Sequence, residues 1–334
     1  MSQLDILSIG DVVTDAFIKL FEEDGKIIEG KDNSKWLAIP FGTKLPFDHS
    51  EVVAGVGNAA NAAVAFSRLG LKTGFVANVG SDAQGREIIA AIDREGIETD
   101  FIRVNHGKTS NYHYVLWYKE ERTILIKHEE YDYRWPRFHT RDIPRWVYFS
   151  SISKNALDYH DEVSDWLDDN PGVHLAFQPG TFQMAAGTHR LKRIYERSSI
   201  LILNREEAVK VGGGNYADMN DLFDKLHKLG PQVVVITDGP KGAYASDGMK
   251  RLFMPPYPDP KPPYERTGAG DAFASTFVAA AAKGLALEDA LRWAPINSMG
   301  VVQKVGGQAG LLSEKELQQF LHHAPKDYKP KELK

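Results

Sequence analysis

The sequence predicts an α/β protein with a mostly parallel central sheet and a small accessory β-sheet, on three observations. Short apolar runs, such as residues 4–9 and 233–237, alternate with alanine- or leucine-rich stretches of helical length, the rhythm of βαβ units. Many of these runs end at glycine, asparagine or threonine turns, the boundary expected between a buried strand and the next helix. One segment, residues 109–128, breaks the rhythm with an aromatic β-hairpin.

Taken in order, residues 4–9 (LDILSI) form a first buried strand ending at Gly10 and Asp11. A polar stretch with Asp15 follows, with strand-like pieces at 16–21 and 36–41, and residues 44–50 read as loop. Gly55 and Gly57 lead into an alanine-rich helix at 59–69, which Gly70 stops at the position where glycine ends helices. A strand at 73–79 and the turn Gly80, Ser81, Asp82 precede a helix at 83–95 closed by Gly96. The hairpin strands, 111–118 and 122–127, flank a polar turn at 119–121. The first strand is apolar or aromatic on both faces, with Tyr112, Tyr114, Leu116 and Tyr118 on one and Val115 and Trp117 on the other. A two-stranded ribbon cannot bury both by itself, so it closes over a ligand, pairs with another chain, or does both. Strands at 146–150, 173–177, 200–203 and 233–237 then alternate with helices at 159–168, 189–196, 206–211 and 222–229. A hairpin-like stretch at 243–254, a proline-rich 255–263, helices at 272–282 and 287–302, and a lysine-rich tail complete the chain. No internal repeat and no linker divides it, so residues 1–334 are expected to form a single domain.

The composition sets outer bounds. With 334 residues, 43% hydrophobic, 25% charged and a net charge of −5, the chain is ordinary globular material with no basic surface for nucleic acid. It has no cysteine, which excludes disulfides, cysteine nucleophiles and thiolate metal sites. The N-terminus lacks the apolar core of a signal peptide and no run is long enough to span a membrane, so a soluble, cytoplasmic protein is expected.

Four motifs carry chemistry. Thr267, Gly268, Ala269, Gly270 and Asp271 stand before a small-residue helix, where unpaired N–H groups and the helix dipole favour an anion beside a carboxylate. That pairing suits phosphoryl transfer to a hydroxyl, although the same pattern also serves as a plain turn. Gly55, Gly57 and Ala60 match a dinucleotide fingerprint, which supports a nicotinamide-dependent oxidoreductase, or else simply tight helix packing. Asn204 and Glu207 lie one helical turn apart at the end of a strand, placed for a hydrated Mg²⁺ or for a capping box. Thr237, Asp238, Gly239 and Gly242 form a tight loop that would lie along a nucleotide's phosphates, or a turn.

The order of these motifs is more specific than any one of them. Gly10-Asp11 with Asp15, the helix entry ending in Asn61, Gly80 to Asp82 with Gly85, Asn204 with Glu207, Thr237 to Gly242 and the TGAGDAF stretch follow in series. From about residue 4 to 320 the chain resembles the ribokinase-like, or pfkB, family of carbohydrate and nucleoside kinases. The resemblance implies a ribokinase-like three-layer sandwich with a mostly parallel central sheet, whose β lid is formed by about 16–41 and 109–128.

It also implies roles. ATP would be the phosphoryl donor, with Mg²⁺, and a hydroxymethyl group of a sugar the acceptor. The backbone of Gly268, Ala269, Gly270 and Asp271 would form the anion hole, and Asp271 would be the base. Asn204 and Glu207, the latter through water, would stand near the metal and phosphates. Thr237, Gly239, Gly242 and, in the helix beside the adenine, Asn297 would serve the nucleotide. Asp15, Gly57, Asn58, Asn61 and Asn111 would meet the acceptor, and paired lids would make a homodimer.

The chain departs from the family at Val56, where a second glycine is usual, and at Asn58, where ribokinases have lysine. It carries Glu265 for the aspartate that helps ribokinase hold a potassium ion, Arg266 where threonine is frequent, and Ala-Gly-Leu-Leu after Gln308, without a hydroxyl. Potassium dependence is therefore expected to be weakened. A ribose-like sugar is the first expectation for the acceptor. A nucleoside, its base stacked on Tyr112, Tyr114 or Trp117, is the second.

Overall fold

The structure, a computed structural model, describes residues 3–31, 34–119, 121–138 and 143–333; Glu120, in the predicted hairpin turn, lies outside them. Its centre is built by strands that are buried and mostly apolar, with Ser8 a polar exception. Ile6–Ile9 (β1) is buried throughout, as are Trp146–Phe149 (β10) and, but for its first residue, His174–Phe177 (β11). Such runs need cover on both faces, which only a parallel sheet between two helical layers supplies.

In chain order the further strands are Val13–Lys19 (β2), Lys26–Glu29 (β3), Lys35–Ala38 (β4), His49–Val56 (β5), Thr73–Gly80 (β6), Ile102–Asn105 (β7), Tyr112–Tyr118 (β8), Glu121–Lys127 (β9), Ile200–Asn204 (β12), Val233–Thr237 (β13), Ala243–Ser246 (β14), Arg251–Met254 (β15) and Lys331–Glu332 (β16). The helices are Asn58–Arg68 (α1), Ala83–Arg94 (α2), Leu157–Asp169 (α3), Thr181–Arg190 (α4), Lys192–Arg197 (α5), Arg205–Gly212 (α6), Met219–His227 (α7), Ala269–Ala282 (α8), Leu287–Val301 (α9) and Glu314–His322 (α10). The main sheet runs β16-β15-β14-β13-β12-β11-β10-β1-β6-β7, parallel from β13 to β7 and antiparallel beyond β13. Alternate strand residues feed two cores. Ile6, Tyr148, Ile202 and Val235 face α1, α8 and α9, while Leu7, Phe149, Leu203 and Ile236 face α3, α5 and α7.

The chain leaves β1 towards β6 on one side and later resumes at β10 on the other, so the strand order reverses between β1 and β10. In open α/β sheets that reversal leaves a crevice at the carboxyl ends of the strands. Over it lies a second sheet, ordered β5-β2-β8-β9, with the β3–β4 ribbon beside it.

Several expectations need correction. Residues 44–50 are not all loop, since His49 begins β5, a third contributor to the accessory sheet beside 16–41 and 109–128. Its exposed polar start, His49-Ser50-Glu51, hides the strand pattern. The pieces expected at 16–21 and 36–41 start earlier, at Val13 and Lys35. β7, most of α4, α10 and the two-residue β16 had no strong signal: all are short, and β16 is an exposed edge. Among the described residues no helix is long and apolar enough to cross a membrane.

Candidate functional site

The crevice is entered by the N-terminus of α8. This helix is buried almost all round because its alanines let α1 and α9 approach closely. Gly268 caps it with φ 74°, in the left-handed region, and a Cβ there would stand 2.4 Å from the Cα of Gly307. A Cβ on Gly307 would in turn stand 2.6 Å from Asn61 Nδ2. The turn and the 307 loop are thus in direct backbone contact, and the loop abuts the Asn61 side chain of α1.

Asp271, on the first turn of α8, is 8% exposed. Its Oδ1 accepts from Asn58 Nδ2 at 3.0 Å and its Oδ2 from Asn61 Nδ2 at 2.9 Å. The Gln178 side chain, just past β11, faces it and favours its charged form. The Tyr148 hydroxyl donates to Gln178 Oε1, so the Gln178 Nε2 group is the end left to face the carboxylate. Burial pushes the Asp271 carboxyl up to about 6, against the pull of the three amides. That value suits a proton acceptor near neutral pH.

On one side of this turn lies a cavity of 320 Å³. Thr237, Gly239 and Gly242 line it, with Pro256 and Tyr257, Pro295 and Met299 of α9, and Ala269 and Gly270 of the α8 turn itself. The Thr267 hydroxyl, beside the turn, is buried with no hydrogen-bond partner among the described residues. A buried donor beside orphan helix N–H groups fits a bound phosphate chain. Asn297 does not reach the cavity. It is fully buried, its Nδ2 donates to Thr276 Oγ1 at 2.8 Å and its Oδ1 accepts from the Leu312 N–H at 2.8 Å, so Ser298 and Met299 line the wall instead. Asn204 and Glu207 form a reciprocal capping box, each side chain 2.8 Å from the other's backbone N–H. Burial raises the Glu207 carboxyl above its ordinary value, with the charges of Glu206 and Asp271 adding to it. Arg205 of α6 bonds Asp238 at 2.5 Å and covers Tyr216.

On the other side, under the accessory sheet, Asp15 of β2 and Asp11 after β1 are joined by two histidines. His113 Nδ1 stands 3.2 Å from Asp15 Oδ1 and its Nε2 3.3 Å from His128 Nε2, while His128 Nδ1 lies 3.4 Å from Asp11 Oδ2. The Tyr133 hydroxyl donates to Asp11 Oδ1 at 2.6 Å. Apart from these facing imidazoles, Asp11 Oδ2 and Asp15 Oδ1 are buried and accept no hydrogen bond among the described residues, an arrangement suited to a ligand rich in hydroxyls. Gly57 caps α1 at φ 116°, pressed against the Asp11 carbonyl, and so sets Asn58 and Asn61 at the crevice.

Asn111 is a correction. It is 1% exposed, its Nδ2 donates to Val12 O and its Oδ1 accepts from the Glu129 N–H, so it clasps the two ends of the hairpin rather than facing the crevice. The aromatic base platform is a correction too. His113 and Asp15 share a face, so Tyr112 and Tyr114, adjacent in β8, point to the other face. Trp117 is on the Asp15 face but packs on Tyr264 and under Lys19.

The structure therefore brings together Asp271, Asn58, Asn61 and the residues 268–270, with Thr237, Gly239 and Gly242 across the cavity. Missed in the sequence were Gln178, Tyr148, His113, His128 and Tyr133. Only the two hairpin histidines carried a signal, as ring nitrogens at either end of one ribbon. The dinucleotide reading is overturned, because Gly55 lies within a strand of the accessory sheet and the helix after Gly57 bonds Asp271.

Comparison with known proteins gives the family and the fold. Residues 41–314 match the model of the pfkB family of carbohydrate kinases. The chain is similar to a ribokinase of Bacillus subtilis, 26% identical over 281 residues, covering 79% of this chain and 87% of the relative. Among solved structures, a ribokinase of Arabidopsis thaliana complexed with ribose and ATP has a TM-score of 0.77 at 21% identity, covering 96% of this chain and 99% of that one. A nucleoside kinase of Methanocaldococcus jannaschii gives 0.73 at 18% identity, covering 97% and 99%. The fold is thus the ribokinase-like three-layer sandwich.

Proposed function

The chain belongs to the pfkB family of carbohydrate kinases, and on that premise we propose that it moves the γ-phosphoryl group of ATP onto the hydroxymethyl group of a ribose-like sugar. It is a phosphotransferase with an alcohol group as acceptor. The observation that carries the finer reading is that one helical turn serves both sides of the crevice. Ala269 and Gly270 line the nucleotide-sized cavity, and Asp271 turns a buried carboxylate towards Asn58, Asn61 and the acceptor side.

In this reading Asp271 takes the proton of the acceptor hydroxyl as its oxygen bonds the γ-phosphorus, and the bond from that phosphorus to the β-phosphate oxygen breaks. The N–H groups at the start of α8 hold the charge on the transferring group, and the amides of Asn58, Asn61 and Gln178 orient the base. Thr237, Gly239 and Gly242 shape the nucleotide cavity. Glu207, half-buried beside the crevice, and Asn204 would hold a hydrated Mg²⁺, which when bound neutralises phosphate charge. Asp15 and Asp11, aligned by His113 and His128, would accept hydroxyls from a vicinal diol. An uncharged sugar suits them better than a sugar acid, since two carboxylates repel an anion. Potassium is left out of the proposal, because the Glu265 carboxylate is already bonded by Arg122 and by the Gly306 N–H. ATP use and the lack of cysteine fit the cytoplasm, and the exposed apolar face of the accessory sheet supports a homodimer through the lid.

A nucleoside acceptor is the second reading. Ile124 and Ile126, 43% and 64% exposed, share the Asp15 face and offer a base an apolar surface. Mg²⁺-dependent ADP release from ATP, run against a panel of neutral sugars, sugar acids and nucleosides, tests both. Turnover with a neutral sugar at the highest kcat/KM is expected. A nucleoside preferred tenfold would move the assignment to the second reading, and no turnover with any acceptor would remove both.

A further inference from the structure

The segment leading to the anion turn is held by a charge from the accessory sheet. Glu265 is 7% exposed, and a carboxylate that deep needs a partner of opposite charge and filled hydrogen bonds. Its Oε1 accepts from the Gly306 N–H at 2.8 Å, and its Oε2 is bonded by the guanidinium of Arg122, on β9. The N–H of Tyr264 bonds the Val302 carbonyl at 2.8 Å, and Trp117 of β8 packs edge-on against the Tyr264 ring. From Glu265 the contacts are continuous: Gly306 leads to Gly307, Gly307 abuts Gly268 and Asn61, and Asn61 bonds Asp271. The family implies a potassium ion at this acid, but the residues here do not fit one. The carboxylate is occupied on both oxygens, and Ala309, Gly310 and Leu311 offer no side-chain oxygen.

Resting on the kinase reading above, we propose that Arg122 is a positioning residue: its guanidinium, carried by the lid, takes the place of an added monovalent cation in ordering the loops that form the anion hole. The enzyme then needs no potassium, and the catalytic turn is set only when the lid hairpin is seated. A planar guanidinium suits this role, since it stays charged when desolvated and fixes the carboxylate direction.

The test uses the full chain with its best acceptor. The parent turns over equally, within about twofold, in potassium, sodium or choline chloride. Arg122→Ala lowers kcat by roughly 10- to 100-fold, the scale of an ångström-level misplacement, with acceptor KM and ADP affinity within about threefold. Millimolar guanidinium restores at least part of the variant's kcat and leaves the parent unchanged. Arg122→Lys, which keeps the charge and the fold, falls between the two. Arg122→Ala with Glu265→Gln is no worse than the poorer single variant, as for a pair acting as a unit. Without nucleotide or acceptor, hydrogen exchange of residues 302–308 quickens in Arg122→Ala. A parent that requires potassium, an unchanged kcat in Arg122→Ala, a loss confined to acceptor KM, or unchanged exchange overturns the proposal. A parent with no kinase turnover fails the functional reading instead, and the exchange measurement still judges the positioning.

Discussion

Asp271 sets the pH behaviour expected of the site. Its carboxyl is pushed up to about 6 by burial, so kcat is expected to fall about tenfold per pH unit below that value and to level off above it. A flat profile between pH 5 and 8 would remove Asp271 as the base. The same shift has a sign for stability. A carboxyl raised from 3.8 contributes stability below its unfolded value, and that contribution is lost as pH rises through about 6. Asp271→Asn, uncharged throughout, should therefore raise Tm relative to the parent more at pH 8 than at pH 4, while lowering kcat by about 10²- to 10⁴-fold. Thermal melts at the two pH values check the first half, and a Tm gain equal at both would contradict it. Asp271 and its turn were legible in the sequence because glycine, small residues and a carboxylate stand next to each other. Gln178 was not legible, since its contact with Asp271 is made by the packing of β11 against α8 and has no local pattern.

At the scale of elements, the start of α8 separates structural from chemical glycine. A Cβ at Gly268 meets Gly307 Cα at 2.4 Å and φ is 74°, so Gly268→Ala should destabilise by about 1–3 kcal/mol and lower kcat as well. At Gly270 a Cβ meets no atom of the described residues within 4 Å, and alanine is the better helix former there. Gly270→Ala should keep or raise Tm yet weaken ATP binding, because the methyl enters the open space of the cavity. Calorimetry of nucleotide binding beside thermal melts checks the pair, and equal loss of stability in both variants would refute the distinction. The same scale explains which elements the sequence betrayed. Mostly apolar strands such as β1 and β13, and long alanine helices such as α1 and α8, declare themselves by composition and period. β5 begins with three exposed polar residues and pairs only in the accessory sheet, so its identity comes from its neighbour β2 and not from its own pattern.

For the whole molecule, the motifs after β1, β12 and β13 were legible as turns at strand ends, where ligands of such sheets lie, whereas the reversal of strand order was not, because it is set by the pairing of β1 with both β6 and β10. The accessory sheet was legible as an aromatic ribbon with two apolar faces, but the partner of each face was not. One face is spent on the crevice through His113 and on Tyr264 through Trp117. The other is crossed by a row set by strand register, Val52 beside Ala16, Ala16 beside Tyr114 and Tyr114 beside Leu125. Val52, Tyr114 and Leu125 in that row are 61%, 49% and 51% exposed. Exposed apolar rows of this kind mark association surfaces, and pairing them between two copies would bury the face that the ribbon itself leaves open. The proposed homodimer thus predicts a solution mass near twice 37.2 kDa, and Leu125→Glu should shift it to the monomer by setting like charges across the two-fold axis. Sedimentation equilibrium at micromolar concentration measures both. A monomeric parent, or a Leu125→Glu variant that stays dimeric, would assign that row to some other use. Because Arg122 and Leu125 lie on the same strand, β9, loss of the dimer should also loosen the seating of the hairpin and lower kcat, by less than Arg122→Ala does.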